Sequence, residues 1–277
     1  MAKHFEFTGD ERVFEGVTVH RIRALVDLPE LNVVAGDVGG WVESEDNLAE
    51  SAWVMGEAVV CQDARVMDSA VVSGNAVVSG QAKVSGSVVV TDNAQVTDGA
   101  KVSGSAVVSG QAKVQGKAKV NGSVTIMDNA QVCDDVELAG VITVSVNALV
   151  CGNALVTGEV LVTDNAQVRD DVELAGVITV SVNALVCGNA LVTGEVLVTD
   201  NAQVRDDVEI SGKVKFLGNA QVFGSALISG SCRIEDDAQV FEHAELYGRV
   251  RVKDRAQVHG SAVVYGKVKI KGKSNVH

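Results

Sequence analysis

Proline is nearly missing: Pro29 is the only one in 277 residues. Beyond it no residue lacks a backbone donor, so a hydrogen-bonded strand ladder can run through the rest of the chain. Aromatic residues are scarce at 4%, although 47% of the chain is hydrophobic. Any core must therefore be built from small aliphatic side chains. No apolar run approaches the ~20 residues of a membrane span. Met1-Ala2-Lys3-His4 leads straight into charged, alternating sequence, without the apolar stretch of a signal peptide. These absences predict a cytoplasmic protein with no membrane partner. Cations are in deficit, with 23 Lys and Arg against 36 Asp and Glu and a net charge of -13. That balance argues against a nucleic-acid partner, which normally needs a basic footprint. The five cysteines form no closely spaced metal motif, so no metal site is expected from them.

What the chain has instead is a period. Every sixth residue from Val42 onward is apolar: Leu48, Val54, Val60, Val66, and so on to Ile270 and Val276. Two places before each stands a small or β-branched residue, as at Ala58, Ala64, Val88 and Ile142. Two places after it Gly or Asp is usual, as in Ala76-Val77-Val78-Ser79-Gly80-Gln81. A six-residue period fits neither an amphipathic helix nor a long alternating strand. It fits a solenoid of short strands joined by regular turns, with Gly or Asp at a corner that needs positive φ. A second period lies on top: residues 134–173 and 170–209 are identical.

The first fifty residues lack this lattice. His4-Phe5-Glu6-Phe7 and Val17-Thr18-Val19-His20-Arg21-Ile22 alternate like half-buried strands. Gly9-Asp10 and Glu15-Gly16 read as turns between them, and Asp27 to Gly40 reads as loop. The expected division is a β-hairpin cap over 1–50 and a solenoid over 51–277. A solenoid exposes its first coil, so Phe5, Phe7, Phe14 and Trp41 are expected to cover that end. An active site at His20-Arg21-Ile22-Arg23 is the competing reading.

Units such as Val72-Ser73-Gly74-Asn75-Ala76-Val77 resemble the hexapeptide repeat of left-handed parallel β-helix proteins. His20-Arg21-Ile22-Arg23-Ala24-Leu25 and Gly39-Gly40-Trp41-Val42-Glu43-Ser44-Glu45 resemble the start of YdcK-like bacterial proteins. The resemblance implies an all-β fold: a single-stranded left-handed parallel β-helix with three hexapeptides, 18 residues, per triangular coil. Residues n and n+18 then stack about 4.8 Å apart. About 13 coils would give a rod on the order of 60 Å long.

On that arithmetic one outward row holds Val71, Val89, Val107, Thr125, Thr143, Leu161, Thr179 and Leu197, with Thr91 and Ser73 in the row beside it. It is flat and uncharged. Strand propensity alone, a self-association face and an ice-binding surface are the three readings. Leu149, Leu155 and Leu161 put Leu on all three faces of one coil, which favours contact with other chains. Arg65, Lys83, Lys101 and Lys119 form a second row and are candidates to bind an anion; Lys215, Arg233, Arg251 and Lys269 continue the first row further along the chain. Solubility and deterrence of sheet aggregation are the favoured reading of such rows. The corners Asp134-Asp135, Asp170-Asp171 and Asp206-Asp207 offer paired carboxylates for calcium, although Asp is also an ordinary turn residue. Cys61, Cys133, Cys151 and Cys187 share one outward row, which Phe223, Phe241 and His259 continue.

Many hexapeptide-repeat proteins are trimeric acyltransferases. The resemblance implies a catalytic His acting as general base at a subunit interface, with acyl-CoA as donor. Of the five histidines, His243 at a corner beside acidic residues is the candidate. Yet no insertion breaks the lattice, so no loop can close over a substrate. The leading expectation is a non-catalytic structural or interaction solenoid, homo-oligomeric through its flat face, open to a protein partner and free of cofactors.

Overall fold

In the computed structural model, which describes residues 3–277, the chain divides into two compact units, Met1–Ala139 and Gly140–His277. Each contains a parallel β-solenoid with an 18-residue repeat. Among the described residues no helix is long and apolar enough to cross a membrane.

The first unit opens with a hairpin of β1 (Phe5–Phe14) and β2 (Val17–Ala24). β2 pairs antiparallel with β3 (Val38–Val42), and β3 pairs in parallel with Val59–Val60. Later steps of this wall within the first unit advance by 18 residues, Val59 facing Val77 and Val77 facing Gln95. The hairpin thus satisfies the first edge of the helix through backbone pairing, the cheapest way to close an exposed ladder. Gly9-Asp10 does not form a turn. It lies inside β1, where the register shifts between Phe7 and Glu11. A bulge absorbs Gly9 at φ 97°, so the strand continues to the turn at Glu15-Gly16. The segment 27–40 is likewise not all loop: a 3₁₀ turn spans Pro29–Leu31 and β3 begins at Val38. Gly39 reads as a loop former but serves close packing. A Cβ there would stand 2.6 Å from both Ile22 Cγ1 and the Val54 carbonyl oxygen.

The hairpin also folds over the outer face. Val19, Trp41, Val59 and Cys61 form a buried cluster, with Phe14 and Val17 packed against it. Cys61, expected on an outward row, is therefore buried. Burial first, then Glu43 and Glu15, push its thiol pKa up to about 11. Arg12 and Arg21 lie over the Trp41 ring at 4.4 and 5.0 Å. Both pair with Glu57, at 2.9 and 2.8 Å, and the Trp41 indole donates to the same carboxylate at 3.0 Å. The Arg21 hydrogen bond, then that of Trp41, holds the Glu57 carboxyl below its ordinary range. Phe5 is buried and Phe7 half-buried beside it.

Inside each unit the two inward positions of the hexapeptide are shut off from water almost completely, as at Ala76, Val78, Ala202 and Val204. Burying one Val contributes about 1.5–3 kcal/mol, and repetition does the rest. Main-chain groups bond from coil to coil: the Trp53 amide donates to the Ala70 carbonyl and the Gln203 amide to the Ala220 carbonyl. Corner carboxylates join in. Asp68 accepts from the Gly86 amide at 2.6 Å, Asp98 from Gly116 at 3.0 Å and Asp206 from Gly224 at 3.0 Å. Asp171 and Asp207 each accept from an Asn amide one coil back, at 2.8 Å. Of the carboxylates considered for calcium, Asp170, Asp171, Asp206 and Asp207 are thus engaged in binding one coil to the next, whereas Asp134 lies beside Cys133 and Cys151 with ligand atoms within 4.8 Å of one another.

In the second unit one corner of the coil opens so far that two strands merge. Leu155–Val162, Glu173–Val180, Leu191–Val198 and Glu209–Phe216 are continuous eight-residue strands. Gly occupies that corner each time; at Gly194, φ is +99° and an added Cβ would stand 2.4 Å from the Gly212 carbonyl oxygen. The next coil breaks the pattern. Leu227–Gly230 ends early, and the chain resumes as Arg233–Ile234 after Ser231-Cys232.

Candidate functional site: a basic groove on the second unit

The merged strands shape a groove of about 940 Å³ on the outer face of the second unit. Two outward rows line it. The first runs Thr179, Leu197, Lys215, Arg233, Arg251, Lys269. The second, two residues earlier in each coil, runs Val177, Glu195, Lys213, Ser231, Arg249, Lys267. One end is uncharged and the other strongly basic. The first row was legible as a stack of cations; the depth of the groove and the cations of the second row were not.

Ser231-Cys232 makes the hollow. Both are smaller than most residues at their positions in neighbouring coils, where Lys213, Arg249 and Val250 stand. Cys232 is buried, with its Sγ 3.4 Å from the Ser229 carbonyl oxygen. Burial raises its thiol pKa, so it stays a neutral packing group rather than a nucleophile. Around the hollow stand Lys213, Lys215, Arg233 and Arg249.

Glu235 fixes the arginines. Its side chain is only 7% exposed, and it lies 2.5 Å from Arg233 Nε. Arg251 Nε donates to its other oxygen at 2.6 Å, and a second nitrogen of Arg251 contacts the same oxygen. One buried carboxylate therefore orients two guanidinium groups on adjacent coils. Alternation alone marks Glu235 as outward and exposed, so this role had no signal in the sequence. Glu195 similarly engages Lys213 at 2.7 Å, which raises the lysine pKa and lowers that of the glutamate.

No family model and no curated protein matches the chain. Among solved structures, the UDP-N-acetylglucosamine acyltransferase of Francisella novicida aligns at 11% identity with a TM-score of 0.19. The alignment covers 72% of this chain and 62% of that one. A likeness of that size assigns no residue a role.

The other candidates lie elsewhere. His243 is exposed at a corner and lines neither this groove nor a smaller one of about 350 Å³ beside the hairpin. His259 is held in a stack, 4.8 Å from the Phe241 ring and 5.9 Å from His277, with Phe223 beyond Phe241. His20 packs on Phe7 at 4.8 Å and faces Glu11 at 3.3 Å. His4 is buried and bonds the Ala52 carbonyl at 3.0 Å. In the first unit Arg65, Lys83, Lys101 and Lys119 stack in register and are exposed. They line neither groove, and Lys119 pairs with Glu137. Val71, Val89, Val107 and Thr125 stack in the first unit and Leu161, Thr179 and Leu197 in the second.

Proposed function

We propose that the chain is a non-catalytic interaction solenoid that associates with further copies of itself through its uncharged outward row. The observation that supports this reading is the fate of the hydroxyls beside that row. Ser73 donates to Thr91 at 2.9 Å, Ser145 to Thr163 at 3.0 Å and Ser181 to Thr199 at 2.9 Å. Hydroxyls bonded to each other along the stack meet part of their hydrogen-bonding capacity within the chain. Val71, Val89, Val107 and Thr125 are half-buried in the first unit, as are Thr143, Thr179 and Leu197 in the second, where Leu161 is exposed. A charge-free strip of this kind gains more from a matching surface than from water. Catalysis instead needs polar groups converging on one reacting atom, and the outward rows run parallel.

Light scattering on the purified protein tests the reading. A defined oligomer is expected, and Val89→Glu in one unit or Leu161→Glu in the other should dissociate it. A monomer at high concentration would defeat the proposal. So would transfer of an acyl group from acyl-CoA that His243→Ala abolishes.

A further inference from the structure

The basic groove is costly for a protein of this composition. The chain carries a net charge of -13, yet Lys215, Arg233, Arg251 and Lys269 face one another in register. Neighbours in such a stack are about 4.8 Å apart, and like charges directly opposite destabilise a sheet. Cations that guard an open edge are required only in an end coil, whereas Lys215, Arg233 and Arg251 each have a coil on both sides. Solubility needs no local excess of positive charge on an already acidic chain. The buried Glu235 fixes two guanidinium groups, which spares their ordering when a ligand arrives.

The groove also restricts its ligand. It contains no aromatic ring on which bases could stack. Its backbone is already bonded within the solenoid, the Lys215 amide to the Cys232 carbonyl, so no peptide strand can add there. It offers positive charge repeated at coil spacing, with guanidinium forks suited to phosphate oxygens. We propose that the groove centred on Ser231, Arg233 and Arg251 binds a chain of linked phosphates, either inorganic or the phosphate tail of a nucleotide. Thr179 and Leu197 belong both to the proposed association strip and to the uncharged end of the groove, so this proposal rests on the cations of the groove and not on that end.

Titration calorimetry on the full chain in about 50 mM salt tests it, with tripolyphosphate, long-chain polyphosphate, ATP and orthophosphate as probes. Tripolyphosphate and polyphosphate should bind, and added salt should weaken both. Binding of ATP as tight as tripolyphosphate assigns the site to phosphate tails in general; weaker ATP binding assigns it to inorganic chains. Arg233→Gln with Arg251→Gln should weaken binding by about tenfold or more. That pair strands the buried Glu235, so the exposed pair Lys215→Gln with Lys269→Gln provides the second test, with an unchanged melting temperature and weaker binding. Lys83→Gln with Lys101→Gln in the first unit should change nothing. Failure of tripolyphosphate to bind, orthophosphate binding equally well, or equal loss in the Lys83 and Lys101 variant overturns the proposal.

Discussion

His4 illustrates how much one side chain can set. It is buried with its Nε2 against the Ala52 carbonyl, and burial lowers its pKa below the ordinary value of 6.5. Above that value the ring is neutral in both the folded and unfolded states. As pH falls below about 6.5 the unfolded chain takes up the proton first, so stability is lost on acidification. The emission of Trp41 and Trp53, both beneath or beside the hairpin, should report an acid-shifted melting transition that His4→Gln removes. If the variant kept the same pH dependence, another group would be responsible. Cys61 carries the complementary lesson. The six-residue count places it outward, but a hairpin from outside the lattice covers it. Periodicity identifies which way a side chain points, not what later packs upon it. Glu235 escaped notice for the same reason, being buried by the arginines it orients.

At the level of strands and corners, the sequence was readable wherever a position had a single steric solution. The two inward rows follow from Ala and Val at fixed spacing. The corners follow from Gly and Asp, and the φ values of 60°, 62° and 59° at Asp68, Asp92 and Asp98 confirm that they occupy the left-handed region. Val182 breaks that rule, holding φ at 64° with a β-branched side chain that is 39% exposed. Such a residue is strained by about 1–2 kcal/mol. Val182→Asn should therefore stabilise the protein by about 1 kcal/mol, seen as a higher melting temperature. No change, or a decrease, would mean that packing of the valine methyl groups compensates for the backbone. Strand lengths were less readable. A signal was nevertheless present: the residue two places after the corner Gly is Val or Ile in the merged strands, as at Val160, Ile178, Val196 and Val214, and Ala at most Gly corners that stay sharp, as at Ala76, Ala82 and Ala112.

Over the whole chain, the identical segments 134–173 and 170–209 offer a direct test of coil phase. Removing 170–205 deletes 36 residues, two coils, and returns every following inward residue to an inward place. Removing 170–204 displaces all of them by one. The first variant is expected to fold with a cooperative melt, the second to lose the transition or aggregate. Equal behaviour of the two would refute the 18-residue repeat as the source of stability. Function was far less legible than fold at this scale. A regular solenoid needs almost all its sequence to maintain its own spacing. Activity is left to the few rows where composition departs from that need, and the groove depends on several such departures meeting in space.

The groove gains its positive charge in instalments, one rung with each turn of the chain. A surface graduated in this way can discriminate by extent as well as by chemistry, since a longer guest engages more rungs. Gain or loss of whole turns by duplication, of the sort visible at 134–209, would then alter the preferred length of a guest without redesigning any single contact.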